Sequence, residues 1–144
     1  LAEDEAAYRS LTSSWFEHSP LREIIDSVAK QDVNLLITTD HGSIRVKKPV
    51  QIIGDKNTTT NLRYKQGRNL KYNYKEVIEF RNPDKIKLPK SNISSVYVMS
   101  EPEDYFVYPN NQNYYVNFYR DTFQHGGVSM EEMLVPFIEM TSKK

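Results

Sequence analysis

VNLLITTDHG, at residues 33–42, is the part of the sequence that says most about the fold. Its apolar and β-branched start is typical of a short strand that other elements cover on both faces. The strand is followed by Asp40, His41 and Gly42, which puts a carboxylate and an imidazole at the carboxyl edge of a sheet. Because open α/β folds gather ligands at that edge, we expect a functional site there.

Two helices are predicted before this strand. Residues 3–16 carry apolar side chains at near-helical spacing, and the acidic residues at their start suit the positive end of a helix dipole. Ser19 and Pro20 then predict the start of a second helix, whose apolar stripe ends near Lys30. A helix, a short link and a buried strand form a unit of an α/β sheet flanked by helices, which is the fold class we expect.

The rest of the chain is predicted to be mainly short strands. Apolar, β-branched and aromatic runs bounded by turn residues predict strands at 44–46, 50–53, 77–80, 95–99, 105–108, 113–119 and 136–140. Residues 54–61 indicate turn and loop, and residues of about 54–90 have the irregular character of an insertion over the site. Ser129 and Glu132 form a capping-box pattern, which predicts a short helix through residues 133–134.

Composition narrows the class of protein. The 144 residues are enough for one compact domain, and no stretch approaches the ~20 apolar residues of a membrane span. The absence of cysteine excludes disulfides and thiolate metal sites, which leaves His, Asp and Glu as strong ligands for a transition metal. The chain starts at Leu1 without a signal-peptide pattern, so we expect a cytoplasmic protein. We also expect the chain to be part of a longer protein.

Charge is unevenly distributed along the chain. The formal net charge is zero, but residues 42–90 hold thirteen Lys or Arg against four Asp or Glu, a local charge of +9. A basic segment directly after Asp40 and His41 would attract an anionic substrate to the site. The alternative is that the segment is an ordinary solvated face.

Three side chains are candidates for metal ligation. Asp40 and His41 are neighbours, so both can reach one ion only where the chain turns, and Gly42 permits that turn. A Zn²⁺ ion would accept the imidazole nitrogen and the carboxylate oxygen at ~2.0–2.2 Å. His125, which precedes Gly126, is the third candidate, while His18 is interpreted as a linker residue. The alternative is a turn aspartate beside exposed loop histidines.

Other kinds of site have weaker support. There is no Gly-x-Ser-x-Gly elbow, no cysteine and no glycine-rich phosphate loop, so no nucleophile is identified. Tyr64, Tyr72 and Tyr74 lie among basic side chains, a mixture that can stack bases and neutralise phosphates. Single-strand nucleic-acid binding is therefore a further hypothesis, ranked last.

Two segments carry a resemblance to a known family. ITTDHG at residues 37–42 and HGGVSMEEMLVPF at residues 125–137 resemble the two C-terminal signatures of the PglZ domain, a branch of the alkaline phosphatase superfamily. Within that branch the chain is most similar to the response regulators of type IX secretion, the PorX group. The resemblance implies that residues 1–144 are the C-terminal portion of an alkaline-phosphatase-like domain with a basic insertion.

The resemblance also implies a chemistry. In the superfamily two metal ions, usually zinc, hold a phosphoryl group while a Thr or Ser attacks phosphorus. By analogy Asp40 and His41 would ligate one zinc and His125 the other. The nucleophile and the remaining ligands would lie upstream of this chain, so the resemblance implies that the chain is inactive by itself.

Partners follow from the same resemblance. It implies a phosphodiester or oligonucleotide substrate, a homodimer, and sigma-factor or secretion-system proteins as partners of a two-component response regulator. The alternative that we keep open is a signalling or scaffold module that binds metal and protein partners without significant catalysis.

Overall fold

The computed structural model describes residues 4–90 and 92–142, which pack as two compact units. The first unit comprises residues 1–38 and 136–144, and the second comprises residues 39–135. In chain order the elements are α1 (Glu5–Glu17), α2 (Pro20–Val28), β1 (Asn34–Thr38), β2 (Ile44–Arg45), β3 (Lys48–Ile53), β4 (Tyr64–Gly67), β5 (Lys71–Tyr72), β6 (Val77–Phe80), β7 (Val96–Ser100), β8 (Asp104–Val107), α3 (Gln112–Tyr119), β9 (Phe123–Gln124), α4 (Met130–Met133) and β10 (Phe137–Thr141). Short 3₁₀ turns lie at Tyr74–Glu76 and Pro83–Ile86.

The first unit confirms both predicted helices. The Asp4 carboxylate caps α1 by accepting a hydrogen bond of 2.7 Å from the Ala7 amide, and Pro20 begins α2. Residue 3, where the first helix was predicted to start, lies outside the described residues. β1 pairs antiparallel with β10, so the predicted first and last strands form a two-stranded sheet. None of the helices in the described residues has the length and apolar character needed to cross a bilayer.

The prediction that both faces of β1 are covered is wrong for this chain. Its residues alternate between exposed and half-buried, and Leu36 is 55% exposed. Half-buried Ile37 shares a groove with α1 and α2, but Leu36 lies on the other face of a sheet of only two strands. The apolar run has the composition of an interior strand, yet burial depends on a second layer that the sequence of the strand cannot supply.

The second unit contains three small sheets. β2 pairs with β9, β3 lies between β5 and β8, and β7 lies between β4 and β6. Only the β3–β8 pair is parallel among these, with Val50 opposite Phe106. The protein is therefore of mixed α/β class, as predicted, with its strands divided among small sheets. The segment of residues 54–90 contributes β4, β5 and β6 to two of them.

Two apolar clusters hold the second unit together. One packs Val50, Ile52, Val98 and Phe106 between the β3 and β7 sheets. The other joins Ile44, Val46, Tyr105 and Val107, with Val116 and Tyr119 of α3 packed against it. Burying side chains of this size stabilises the fold by about 1.5–3 kcal/mol each.

Residues 113–119 were predicted to be a strand, and this prediction is wrong. They form α3, which begins after Asn111 adopts a left-handed backbone with φ of 55°. The aromatic residues that suggested a strand instead stack four positions apart, with Tyr114 on Phe118 and Tyr115 on Tyr119. Helical spacing also brings Val116 and Tyr119 onto the second cluster, and this packing outweighs β propensity.

Candidate metal centre

The three predicted ligands come together through the pairing of two short strands. His125 directly follows β9, and His41 precedes β2 by three residues. In the antiparallel ladder Ile44 lies opposite Gln124, so the chain leading into β2 meets the chain leaving β9. Residues 84 positions apart in the sequence are therefore neighbours in the second unit.

The rings of His41 and His125 stack on each other. Their centroids are 3.9 Å apart and their planes differ by 10°. This contact puts His125 beside the Asp40–His41 turn. Such proximity is necessary for the hypothesis that the three side chains share a metal centre. Metal ligation itself remains a prediction.

Hydrogen bonding leaves one nitrogen of His41 available as a ligand. Its Nδ1 lies 2.9 Å from the Gly42 carbonyl oxygen, which can only accept, so Nδ1 carries the proton. In the neutral form of the ring Nε2 is then the nitrogen with the lone pair, and it lies 3.7 Å from Asp40 Oδ1. Two donors each ~2.0–2.2 Å from a shared ion can be at most about 4.4 Å apart. The distance between Asp40 Oδ1 and His41 Nε2 is therefore short enough for one shared cation.

A local turn brings Asp40 and His41 to the same side. The Thr39 hydroxyl donates to the His41 carbonyl at 3.0 Å, which closes the turn. Gly42 serves a different purpose from the one predicted, since it is needed for close approach. A Cβ at this position would lie 1.9 Å from the carbonyl oxygen of Glu131, and the Gly42 amide donates to the Glu132 carbonyl at 2.8 Å.

Glu132 ties both histidine loops to one point. Its carbonyl holds Gly42, and its carboxylate accepts from the Gly127 amide at 2.9 Å and from the Ser129 amide at 3.2 Å. The latter bond is the Glu132 half of the predicted capping box at the start of α4. The box therefore anchors the loop after His125 as well as beginning a helix.

Arg63 completes this anchor as a buried ion pair. Its guanidinium donates two hydrogen bonds to the Glu132 carboxylate, at 2.9 and 2.8 Å, and both side chains are essentially inaccessible to solvent. Its Nη1 also donates to the Ser100 hydroxyl and to the carbonyls of Glu101 and Asp104. Burial raises the pKa of Glu132, but the hydrogen bonds from Arg63, Gly127 and Ser129 and the charge of Arg63 outweigh it, so the pKa lies below its usual value.

Asn61 and Gly126 position His125 from the other side. The Asn61 side-chain amide donates to the His125 carbonyl at 3.2 Å, while its oxygen accepts from the Arg63 amide at 2.7 Å. Gly126 has φ of 103°, a conformation that suits glycine, and a Cβ there would lie 2.7 Å from Asn61 Nδ2. The backbone on both sides of the histidine pair is thus held by polar contacts.

Sequence reasoning missed Arg63 and Asn61 as supports of the site. Arg63 appeared to be one of many basic residues in an irregular segment, and its partner Glu132 lies 69 positions away. No local pattern marks such a pair. The capping box was the one sequence signal. It identified Glu132 as a residue at the start of a helix but did not indicate its role in the site.

The candidate ligands are accessible, and the set is incomplete. The side chains of Asp40 and His41 are 87% and 43% exposed, and His125 is also exposed. Within residues 4–90 and 92–142 no group of three or more His, Cys, Asp or Glu side chains is placed to hold a metal ion. Catalytic zinc has three protein ligands. The donor types fit zinc, but further ligands would be needed.

The basic segment is partly neutralised by ion pairs. Six of its thirteen cations lie within 4 Å of carboxylates, namely Arg45, Lys47, Lys48, Arg63, Arg81 and Lys90. The exposed cations outside these pairs are Lys56, Arg68, Lys71, Lys75, Lys85 and Lys87. The effective positive charge is therefore well below the formal +9.

The three tyrosines considered for base stacking do not form a common exposed face. Tyr64 stacks on Tyr97, and the hydroxyl of half-buried Tyr72 bonds to the Glu79 carboxylate. Only Tyr74 among the three is largely exposed, at 71%. This arrangement gives little support to single-strand nucleic-acid binding.

Comparison with known proteins identifies the family. The model of the BREX system PglZ alkaline phosphatase-like domain matches residues 2–140, nearly the whole chain. No curated protein matches the chain significantly. The matched range includes the turn at Asp40 and His41, the loop at His125 and the capping box of α4. The chain belongs to the PglZ family of alkaline phosphatase-like domains.

Proposed function

We propose that this chain supplies the second half of a metal-dependent phosphohydrolase site that cleaves phosphodiesters, with nucleotides or oligonucleotides as substrates. The observation that carries the proposal is the convergence of Asp40, His41 and His125 in one accessible cluster. The phosphatase-like family fits this chemistry.

Zinc is the metal that the donor set fits best. Asp40 Oδ1 and His41 Nε2 would share one ion, and His125 would bind a second. When bound, such a pair of ions supplies Lewis-acid stabilisation of the charge on a phosphoryl group. Asp40, His41 and His125 would hold the ions, and Glu132, Arg63 and Asn61 hold the loops that carry these three residues.

The attacking group would come from residues upstream of this chain. Two imidazoles and one carboxylate provide no attacking hydroxyl, and the described part of the chain has no group of three or more His, Cys, Asp or Glu side chains placed to hold a metal ion. We expect residues 1–144 alone to bind zinc weakly and to have no phosphodiesterase activity.

At a finer level, we propose a two-component response regulator of the PorX group that controls type IX secretion. The motifs at residues 37–42 and 125–137 support this assignment. A cytoplasmic homodimer that contacts sigma-factor or secretion-system proteins is part of the same proposal. Phosphorylation of a receiver domain would then control the activity or the contacts of the PglZ domain.

The second candidate is a signalling or scaffold module with vestigial chemistry. The observation in its favour is the exposure of Asp40 and the absence of a third ligand around it in the described residues. A scaffold would keep the Arg63–Glu132 anchor, since that pair supports the fold, while metal-dependent turnover would be absent.

Zinc content and hydrolysis of bis(p-nitrophenyl) phosphate by the full-length protein separate the two candidates. We expect Asp40→Ala and His125→Ala each to abolish zinc-dependent turnover and to lower zinc content. His18→Ala and Asp32→Ala are matched controls, because they remove the same side-chain types outside the site, and they should retain turnover.

Two results would contradict the enzymatic proposal. One is a zinc-loaded full-length protein that does not hydrolyse the phosphodiester under any tested metal concentration, which favours the scaffold. The other is turnover that survives both Asp40→Ala and His125→Ala, which would place the activity elsewhere.

A further inference from the structure

Lys65 is a buried cation without a carboxylate partner. The residue is 1% exposed, and it lies on β4 opposite the buried Val98. Its Nζ donates to the Thr59 carbonyl oxygen at 2.9 Å and lies 4.8 Å from the centre of the Tyr108 ring. In the part of the chain that the structure describes, no Asp or Glu pairs with it.

An unpaired buried ammonium group is unusual. Buried charges in proteins are normally paired, because removal from water costs several kcal/mol per ion. The second unit shows the usual solution at Arg63, which has Glu132 as its counter-ion. Burial lowers the pKa of Lys65 to about 8, so its charged form still dominates near neutral pH.

Lys65 lines a cavity of ≈190 Å³ whose other walls are largely aromatic. Phe106, Tyr108, Tyr115 and Tyr119 are among the lining residues. An apolar cavity of ~150 Å³ is large enough to bind benzene. The space therefore suits a ligand with one aromatic ring and a small substituent.

The walls of the cavity are held in place. The Tyr105 hydroxyl donates to the Val116 carbonyl at 3.0 Å, which fastens α3 to the strand next to it. The rings of Tyr115 and Tyr119 in α3 are nearly parallel, with their centroids 6.1 Å apart. Burial first, and then the nearby Asp55 charge, raise the pKa of Tyr108, so its hydroxyl remains neutral.

We propose that this cavity binds a small anion that carries one aromatic ring, with the anionic group at Lys65 Nζ and the ring against Tyr115 and Tyr119. The anion supplies the counter-charge that the described part of the chain does not provide, and the aromatic walls select for the ring. The site uses none of Asp40, His41 and His125, so it stands independently of the phosphohydrolase proposal.

Benzoate is a suitable probe of this site in the full chain. Its binding is followed by NMR of the Lys65 side chain and the tyrosine rings, with benzyl alcohol as the neutral analogue and acetate as the anion without a ring. We expect saturable shifts with benzoate and at least about tenfold weaker binding of the other two, since a hydrogen bond to a charged group accounts for a factor of that size.

Substitutions locate the binding. Lys65→Met should weaken benzoate binding by about tenfold or more. Lys75→Met is the matched control, because Lys75 lies beside the Tyr74 ring on the exposed surface, and it should leave the affinity unchanged. Tyr115→Leu should weaken benzoate binding but not acetate binding, and Asp40→Ala should change neither.

A measurement on the unsubstituted protein covers the case in which Lys65→Met does not fold. Saturating benzoate should raise the pKa of Lys65, because a bound anion favours the ammonium form. The proposal is overturned by the absence of saturable benzoate binding, by equal binding of benzyl alcohol, by full retention of binding in Lys65→Met, or by a Lys65 pKa that benzoate does not move.

Discussion

Glu132 is a single residue that connects segments from different parts of the sequence. Its carbonyl holds the loop of Gly42, and its carboxylate holds Gly127, Ser129 and Arg63. Because both partners of the ion pair are buried, removal of one charge leaves the other in a medium that solvates it poorly. The candidate site and the stability of the second unit therefore depend on the same side chain.

Glu132→Gln should destabilise the protein strongly while changing its shape little. The amide leaves the Arg63 charge unpaired, and breaking a buried pair in this way costs about 3–5 kcal/mol. Urea unfolding at pH 7 measures the change. Glu103→Gln is the matched control, because it breaks the exposed pair with Lys47 and should cost at most about 1 kcal/mol. Equal losses in the two variants would contradict the role given to the buried pair.

Lys65→Met should stabilise the protein at pH 7. Burial lowers the pKa of Lys65 from 10.5 to about 8, so keeping the side chain charged in the folded protein costs on the order of 2–3 kcal/mol. The substitution removes this cost but also loses the hydrogen bond of Nζ, which reduces the gain by about 1 kcal/mol. Because the pKa of Lys65 is lower in the folded state, the free energy of unfolding of the wild type increases with pH. Above about pH 8 the folded protein releases a proton that the unfolded chain keeps, and this increase continues up to about pH 10.5.

The check is urea unfolding of the wild type and Lys65→Met between pH 7 and 10. The stability advantage of Lys65→Met should shrink as the pH rises, since the wild type loses its buried charge. An advantage that stays constant over this range would show that Lys65 is not a buried cation of lowered pKa.

At the scale of elements, two-residue strands position the candidate site. The β2–β9 pair has only Ile44 and Arg45 opposite Gln124 and Phe123, yet it determines which residues meet beyond its ends. So short a ladder is marginal by itself. The contacts of Gly42 with α4 and of Asn61 with the His125 carbonyl supply the remaining restraint.

Gly42→Ala should separate the two histidines. The added Cβ would lie 1.9 Å from the Glu131 carbonyl oxygen, which belongs to the backbone and cannot rotate away. We expect a loss of about 1–3 kcal/mol in unfolding free energy and weaker nuclear Overhauser contacts between the His41 and His125 rings. Ser43→Ala, at the exposed neighbouring position, should leave both unchanged. Intact ring contacts in Gly42→Ala would argue against a spacing role for this glycine.

At the scale of the molecule, the two units differ in how well they are buried. None of α1, α2, β1 and β10 contains a buried residue, while β7 and β8 of the second unit are almost entirely buried. Trp15, Leu36 and Phe137 of the first unit are each more than half exposed. Since stability follows buried apolar area, the first unit should open at lower free energy.

Hydrogen exchange measured by mass spectrometry should resolve two classes of amides. Those of β1 and β10 should exchange faster by orders of magnitude than those of β3, β7 and β8, because opening free energies span from about zero up to the global value. Both classes of amides are measured in the same molecule, so the strands of the second unit serve as controls for the strands of the first unit. Uniform protection across both sheets would contradict the division.

The sequence by itself determined the elements whose signals are local. The start of α1 and α2, most of the strands, the turn after Asp40 and the capping box at Glu132 follow from side chains within a few positions of one another. The sequence also suggested Asp40, His41 and His125 as one candidate site, first from the two His-Gly pairs and then from the family resemblance.

Only the tertiary structure decided burial and partner choice. α3 is a helix because Val116 and Tyr119 pack on the second cluster, and β1 is half exposed because no second layer among the described residues covers it. Arg63 and Lys65 are two positions apart in a run of similar basic residues, yet the first has a buried counter-ion from α4 and the second has none among the residues that the structure describes. The physical reason is that desolvation and ion pairing depend on atoms brought together from distant parts of the chain.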